Sequence, residues 1–223
     1  MTHRILIVND DGLTPGVLHM ARLLQQQGHV VHTLLPDQDR SGSGSAALVG
    51  SDLTLTDVSE SADGLSLWLT NGMPVDCTNL GMHKWPTTNL VISGPNRGFN
   101  ALCYRSSGTI AAARQALVHN VCGIAFSANG GRADFDAIAV DAVVAVGLIE
   151  EQGHLNESFP TFCNVNLNKG KGGLHYGTPK MFSPVLAPTE DGTYAYVWPN
   201  LKACDNEVSA AGDAGYHSIV VER

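Results

Sequence analysis

Charge is scarce in this chain. Charged residues make up 15% of its 223 residues, against the ~25% usual for soluble domains. We therefore expect part of the surface to be covered by further copies of the chain. Basic charge is scarcer still, with 13 Lys and Arg against 21 Asp and Glu and a net charge of -8. That excludes generic binding to nucleic acid or to an acidic membrane, because there is no basic surface to displace counterions. The five cysteines, Cys77, Cys103, Cys122, Cys163 and Cys204, form no CxxC pair and no metal-finger spacing. They read as buried or incidental thiols in a reducing compartment. No apolar run approaches the ~18 residues of a membrane span, and the N-terminus enters a strand without the basic region and long apolar run of a secretory leader. The expected setting is the cytoplasm. No GxGxxG follows the first strand, which argues against a dinucleotide-binding oxidoreductase.

What is present is organised around Arg4-Ile5-Leu6-Ile7-Val8-Asn9-Asp10-Asp11-Gly12. A short, largely β-branched run predicts a buried parallel strand, and it stops at an amide, two carboxylates and a glycine. Val17, Met20, Leu23 and Leu24 then fall at helical spacing up to Gly28, and His29–Leu35 reads as a second strand. The first 36 residues thus form a βαβ unit, the opening of a Rossmann-like sheet. Leu53–Val58 and Leu65–Leu69 predict a hairpin, and Pro74 opens a helix to about Met82. Asn89–Ser93 predicts a buried strand ending at Gly94-Pro95-Asn96, and Ser106-Ser107-Gly108-Thr109 caps a helix over Ile110–Asn120. Gly123–Ser127 and Phe162–Leu167 predict strands, with an apolar helix between them from about Asp134 to Gly153. Residues 168–213 read as an arm of strands and loops with a strand candidate at Tyr194–Trp198, and Ser218–Val221 is a further strand candidate beyond it.

A parallel sheet delivers the carboxyl ends of its strands to one rim, where ligands bind in open α/β folds. Asp10 and Asp11 end strand one, Ser41 lies in the glycine-rich loop after strand two, and Asn96 follows the Val91–Ser93 strand. Carboxylates, a hydroxyl and an amide oxygen are hard ligands that suit Mg²⁺, Mn²⁺ or Ca²⁺ rather than zinc. The helix start at Ser107–Thr109 offers free N–H groups for phosphate oxygens. In outline this is a phosphoryl-hydrolysis site, in which one of Asp10 and Asp11 takes a proton from the attacking water while the other holds the cation.

The ordered motifs NDDG, PDQDRSGSGS, NGMPVDC and SGPNRGFN…SSGTIAAA, from Arg4 to about Val146, resemble the SurE family of stationary-phase survival nucleotidases. A weaker echo, Gly215-Tyr216-His217-Ser218-Ile219, is similar to that family's closing strand. The resemblance implies a Rossmann-like three-layer α/β sandwich with a mainly parallel sheet and a β-rich C-terminal arm. The core would occupy residues 1–167, and residues 168–223 would form the oligomerisation arm and closing strand. It further implies a 5′-nucleotidase acting on nucleoside 5′- and 3′-monophosphates, and a homodimer or homotetramer. One divalent cation per subunit, Mg²⁺ or Mn²⁺, would be held by Asp10, Asp11, Ser41 and Asn96. Asn9, Ser43, Asn100, Ser107, Gly108 and Thr109 match positions lining the family's phosphate pocket.

Three departures from the family pattern stand out: Pro95 replaces an aliphatic residue; the stretch from Asn96 to Ser107 is one residue short, with Ala101-Leu102-Cys103 in place of a polar stretch; and the chain stops soon after Val221 with a compact arm. They keep a second reading open, a weak or inactive nucleotide-binding protein on the same scaffold. A receiver-type signalling domain is disfavoured because no acidic residue ends a later strand at the required distance. A haloacid-dehalogenase-like phosphatase is disfavoured because position 12 is glycine. The nine histidines show no paired metal spacing, the tryptophans Trp68, Trp85 and Trp198 read as packing residues, and Arg97 and Arg105 border the proposed pocket.

Overall fold

A computed structural model describes residues 1–59, 64–100, 105–128, 135–167, 174–176, 185–188, 194–197 and 217–222. Strand β1 (Arg4–Val8) buries Ile5, Leu6, Ile7 and Val8 completely. Successive side chains on a strand point to opposite faces, so a strand apolar at every position needs cover on both sides. Ile5 and Ile7 pack with Val17, Met20 and Leu24 of α1 (Pro15–Gln26) and with Ile138, Val146 and Ile149 of α4 (Phe135–Glu151). Leu6 and Val8 pack on the other face with Cys77 and Met82 of α2 (Pro74–Lys84) and Ala112 of α3 (Gly108–Arg114). The fold is thus a three-layer α/β sandwich.

Strands β2 (Val30–Pro36), β3 (Thr56–Asp57), β4 (Ser66–Thr70), β5 (Leu90–Arg97), β6 (Cys122–Ala128), β7 (Phe162–Leu167), β8 (Leu174–Tyr176) and β11 (His217–Glu222) complete one sheet in the order β3-β4-β2-β1-β5-β6-β7-β11-β8. β9 (Val185–Pro188) and β10 (Tyr194–Val197) form a separate antiparallel pair. Pairing is parallel from β4 through β7, and antiparallel between β3 and β4 and between β7 and β11. The chain passes from β1 to β2 on one side and returns to β5 on the other. The gap between the carboxyl ends of β1 and β5 is therefore the topological switch point, where such sheets bind ligands.

Three local expectations are corrected. The Leu53–Val58 strand is reduced to the exposed pair Thr56–Asp57, and its partner β4 also pairs in parallel with β2, so the hairpin is only part of that strand's pairing. β5 does not stop at Ser93: it passes a bulge and a cis Gly94–Pro95 bond and pairs again at Asn96 and Arg97 with Ser127 and Ala128. The helix expected over Ile110–Asn120 begins two residues earlier and tightens into a 3₁₀ turn at Gln115–His119, ending on left-handed Asn120. The stretches Ala101-Leu102-Cys103 and Gly215-Tyr216, together with Cys204, Trp198 and Asp134, lie outside the described residues.

Candidate active site

The turn that ends β1 is closed by Asn9. Its amide nitrogen donates to the Gly12 carbonyl at 2.5 Å, and its amide oxygen accepts the Gly12 N–H at 3.1 Å. This fully buried clamp leaves the next two side chains adjacent on the rim. Asp10 is 3% exposed, and Asp11 is half-buried. Burial pushes the Asp10 carboxyl up to about 6; the Thr109 hydroxyl pulls it back and the Asp11 charge adds to the rise. Asp11 is raised too, again chiefly by burial, while the Arg97 backbone N–H, the Ser41 hydroxyl and the Arg97 guanidinium oppose it. Burial and the neighbouring charge thus penalise the ionised pair.

Three segments close on that pair. The loop after β2 is anchored by the Arg40 N–H on the Asp10 carbonyl at 2.7 Å, by the Gly44 N–H on the Ser106 carbonyl at 3.0 Å, and by the Leu48 N–H on the Asp76 carboxylate at 2.9 Å. Asp76, from the NGMPVDC stretch, also accepts the Met73 N–H at 2.9 Å, so one buried carboxylate caps α2 and ties the loop down. The loop's Ser41 hydroxyl lies 3.3 Å from Asp11 Oδ1 and 2.6 Å from Asp39 Oδ1.

The second segment is the end of β5. A Cβ on Gly94, whose φ is +110°, would lie 2.3 Å from the Phe126 carbonyl oxygen; only glycine fits that approach. Two residues on, Asn96 donates from Nδ2 to the Gly98 carbonyl at 2.9 Å, and its Oδ1 accepts no hydrogen bond among the described residues.

The third segment is the start of α3. Ser107 caps it, accepting the Ile110 N–H at 3.1 Å. Thr109 Oγ1 donates to Asp10 Oδ1 at 2.7 Å. Gly108 presses so close that a Cβ there would come within 2.8 Å of both Asp10 Cβ and Ser43 Oγ. The structure therefore brings Asp10, Asp11, Ser41, Ser43, Gly108 and Thr109 together, with the Asn96-Arg97 strand end against Asp11.

The other expected pocket residues take supporting places. Asn9 is held within its own turn, and Thr109 orients Asp10 with its hydroxyl. Asn100 is buried: its N–H donates to Asn166 Oδ1 at 2.8 Å, its carbonyl accepts from Asn164 Nδ2 at 3.1 Å, and its own amide nitrogen donates to Ser127 at 2.7 Å. Sequence reasoning missed Asp39, Asn164 and Asn166. An Asp two residues before a Ser is an Asx-turn signal that pointed to Asp39; the asparagines of β7 gave no signal beyond polarity in a buried strand.

The remaining candidates fall away from the rim. His19 pairs with Asp136 at 3.2 Å, and Trp68, Trp85 and His32 pack on one another. Cys77, Cys122 and Cys163 are buried free thiols. Among the described residues no helix is long and apolar enough to cross a membrane.

An oxygen-rich cluster at the switch point of a mainly parallel, three-layer sheet defines the class: an α/β domain of Rossmann-like architecture. The family model "Survival protein SurE" matches residues 5–176, and the chain belongs to the SurE family. The 5′-nucleotidase SurE of Prochlorococcus marinus (strain AS9601) is 32% identical over 172 residues, covering 74% of this chain and 61% of that protein. The 5′-nucleotidase SurE of Rubrobacter xylanophilus is 40% identical over 136 residues, 58% of this chain and 50% of that protein. The match thus spans between half and about three fifths of these curated relatives. The crystal structure of the SurE protein from Aquifex aeolicus superposes with a TM-score of 0.77 at 25% identity, covering 99% of this chain and 93% of that one.

The raised Asp10 carboxyl makes a testable statement about the metal-free protein. Its folded pKa of about 6 lies above the ordinary 3.8. The stability it contributes is complete below about pH 4 and is lost as pH rises through about 6, by up to about 3 kcal/mol. In EDTA, urea unfolding of the wild type should weaken between pH 4 and 7 relative to Asp10→Asn, which has no such group to ionise. Parallel pH profiles for the two proteins would contradict the burial account.

Proposed function

We propose that the chain is a divalent-cation-dependent phosphomonoesterase that hydrolyses nucleoside 5′- and 3′-monophosphates to nucleoside and phosphate. The observation that carries this is the pair of crowded carboxylates, Asp10 and Asp11, facing Ser41, the Asn96 strand end and the start of α3. The printed names of the relatives, 5′-nucleotidases of the same family, support the substrate class.

The residues fit a hard cation. Asp11 Oδ2 is buried with no hydrogen-bond partner among the described residues, and a buried carboxylate oxygen without a donor is costly unless a cation compensates it. Ser41 Oγ and Asp11 Oδ1, 3.3 Å apart, have a separation suited to neighbouring ligands on a cation with oxygen bonds of ~2.1–2.5 Å. Asp10, Asp11, Ser41 and Asn96 would hold one Mg²⁺ or Mn²⁺. Bound there, the cation neutralises phosphoryl charge and makes water a readier proton donor.

The chain's own groups do the rest. Thr109 keeps Asp10 facing the rim. Asp10 or Asp11 takes the proton as water attacks phosphorus; the bond from phosphorus to the ester oxygen breaks, the departing oxygen takes a proton from solvent, and the carboxyl later releases its own to solvent. Ser43 Oγ, buried without a hydrogen-bond partner among the described residues and lying against Gly108, is placed to donate to a phosphate oxygen. Ser107 accepts the Ile110 N–H and so keeps its own hydroxyl proton for the same use, beside the Gly108 N–H. Asn9 and Asn100 hold the two turns that present these groups.

We also propose a homodimer or homotetramer in which residues 168–223 serve as the exchanging arm beyond a core of residues 1–167. The low charge and the exposed apolar residues Val140, Val144 and Phe159, at 45%, 52% and 72% exposure, support it.

Phosphate release from a panel of nucleoside monophosphates should stop with EDTA and return with Mg²⁺ or Mn²⁺. Asp10→Asn and Asp11→Asn should each lose at least ~100-fold in turnover. Release that ignores EDTA, or a normal rate in either variant, would remove this reading. Light scattering on the eluted protein should give a mass of two or four chains; a clean monomer sinks the arm-exchange proposal.

A further inference from the structure

Ser41 has one hydroxyl proton and two carboxylates within reach. Asp39 Oδ1 stands at 2.6 Å and Asp11 Oδ1 at 3.3 Å, and the shorter contact lies in the range of a charge-assisted O–H···O⁻ bond. The same Asp39 oxygen accepts the Ser41 backbone N–H at 2.7 Å. Asp39 therefore fixes both the backbone and the side-chain rotamer of Ser41, and draws the hydroxyl proton away from Asp11. What Ser41 turns toward Asp11 is then an oxygen lone pair. A hydroxyl serves a cation only in that orientation, with its proton engaged elsewhere.

From this we infer that Asp39 is a positioning residue that makes Ser41 a cation ligand, by accepting its proton rather than by binding the cation itself. The inference rests on the cation reading above and adds a residue to it. Asp39 is exposed, and its charge also acts on Asp11 through space, raising that carboxyl, so the route through the Ser41 hydroxyl has to be separated from that direct effect. Groups that orient metal ligands in this way typically change affinity by 10–100-fold when removed.

Because the action is indirect, its signature is coupling. Mn²⁺ affinity is read from the electron paramagnetic resonance signal of free Mn²⁺ during titration of the full chain, for the wild type, Asp39→Ala, Asp39→Asn, Ser41→Ala and the double variant Asp39→Ala/Ser41→Ala. Asp39→Ala should weaken binding about 10-fold. Asp39→Asn keeps an acceptor oxygen and should stay within about threefold of wild type. The double variant should bind no more weakly than Ser41→Ala alone. Unchanged affinity in Asp39→Ala overturns the inference. So does a penalty that persists in the Ser41→Ala background, or a fall in Asp39→Asn as large as in Asp39→Ala, since either assigns the effect to charge or direct ligation. A wild type that leaves millimolar Mn²⁺ free overturns the cation reading itself.

Discussion

Two carboxylates on consecutive residues at the buried end of a central strand repel each other and lose hydration together. Every other feature of the rim answers that constraint. Asn9 closes the turn that sets the two carboxylates side by side on the rim, Thr109 donates to Asp10, and the Arg97 N–H reaches Asp11. These donors offset the penalty only in part, since both carboxyls remain raised. A full positive charge is what the arrangement still calls for, and the donors around it are oxygens.

The sheet supplies the positions. β1 is flanked by β2 and β5, so residues far apart in sequence arrive at one gap: the loop after β2 brings Ser41 and Ser43, and β5 brings Asn96. α3, lying on the face covered by Leu6 and Val8, brings Gly108 against Asp10. Close approach is enforced by glycine at two places, Gly94 against the Phe126 carbonyl and Gly108 against Asp10 and Ser43. A methyl group at either position would push the Asn96 segment or the start of α3 away from its present place.

Much of this was legible in the residues. The apolar run to Val8 and the abrupt NDDG read as a buried strand with a functional end, and the βαβ spacing gave the parallel sheet and its rim. Composition marks the loop after β2 only as polar and glycine-rich. What it hid were the anchors, because Arg40 to Asp10, Gly44 to Ser106 and Leu48 to Asp76 are contacts between distant segments. The family resemblance assigns Thr109 to the phosphate pocket; its hydrogen bond to Asp10, 99 residues away, has no local mark in the sequence. β5 was cut short at Gly94-Pro95, since glycine and proline ordinarily end a strand; here the strand bulges and resumes pairing at Asn96. The spacing of Asp39 and Ser41 in PDQDRS signals the Asx turn between them, yet the bond to the Ser41 hydroxyl depends on rotamers that spacing does not reveal.

The central claim is that Asp10, Asp11, Ser41 and Asn96 form one cation site. Crystals grown with Mn²⁺ and measured for anomalous scattering test it directly. The account predicts a single strong peak per subunit within bonding distance of oxygens from all four residues. A peak held by other residues, or none at millimolar Mn²⁺, would contradict it.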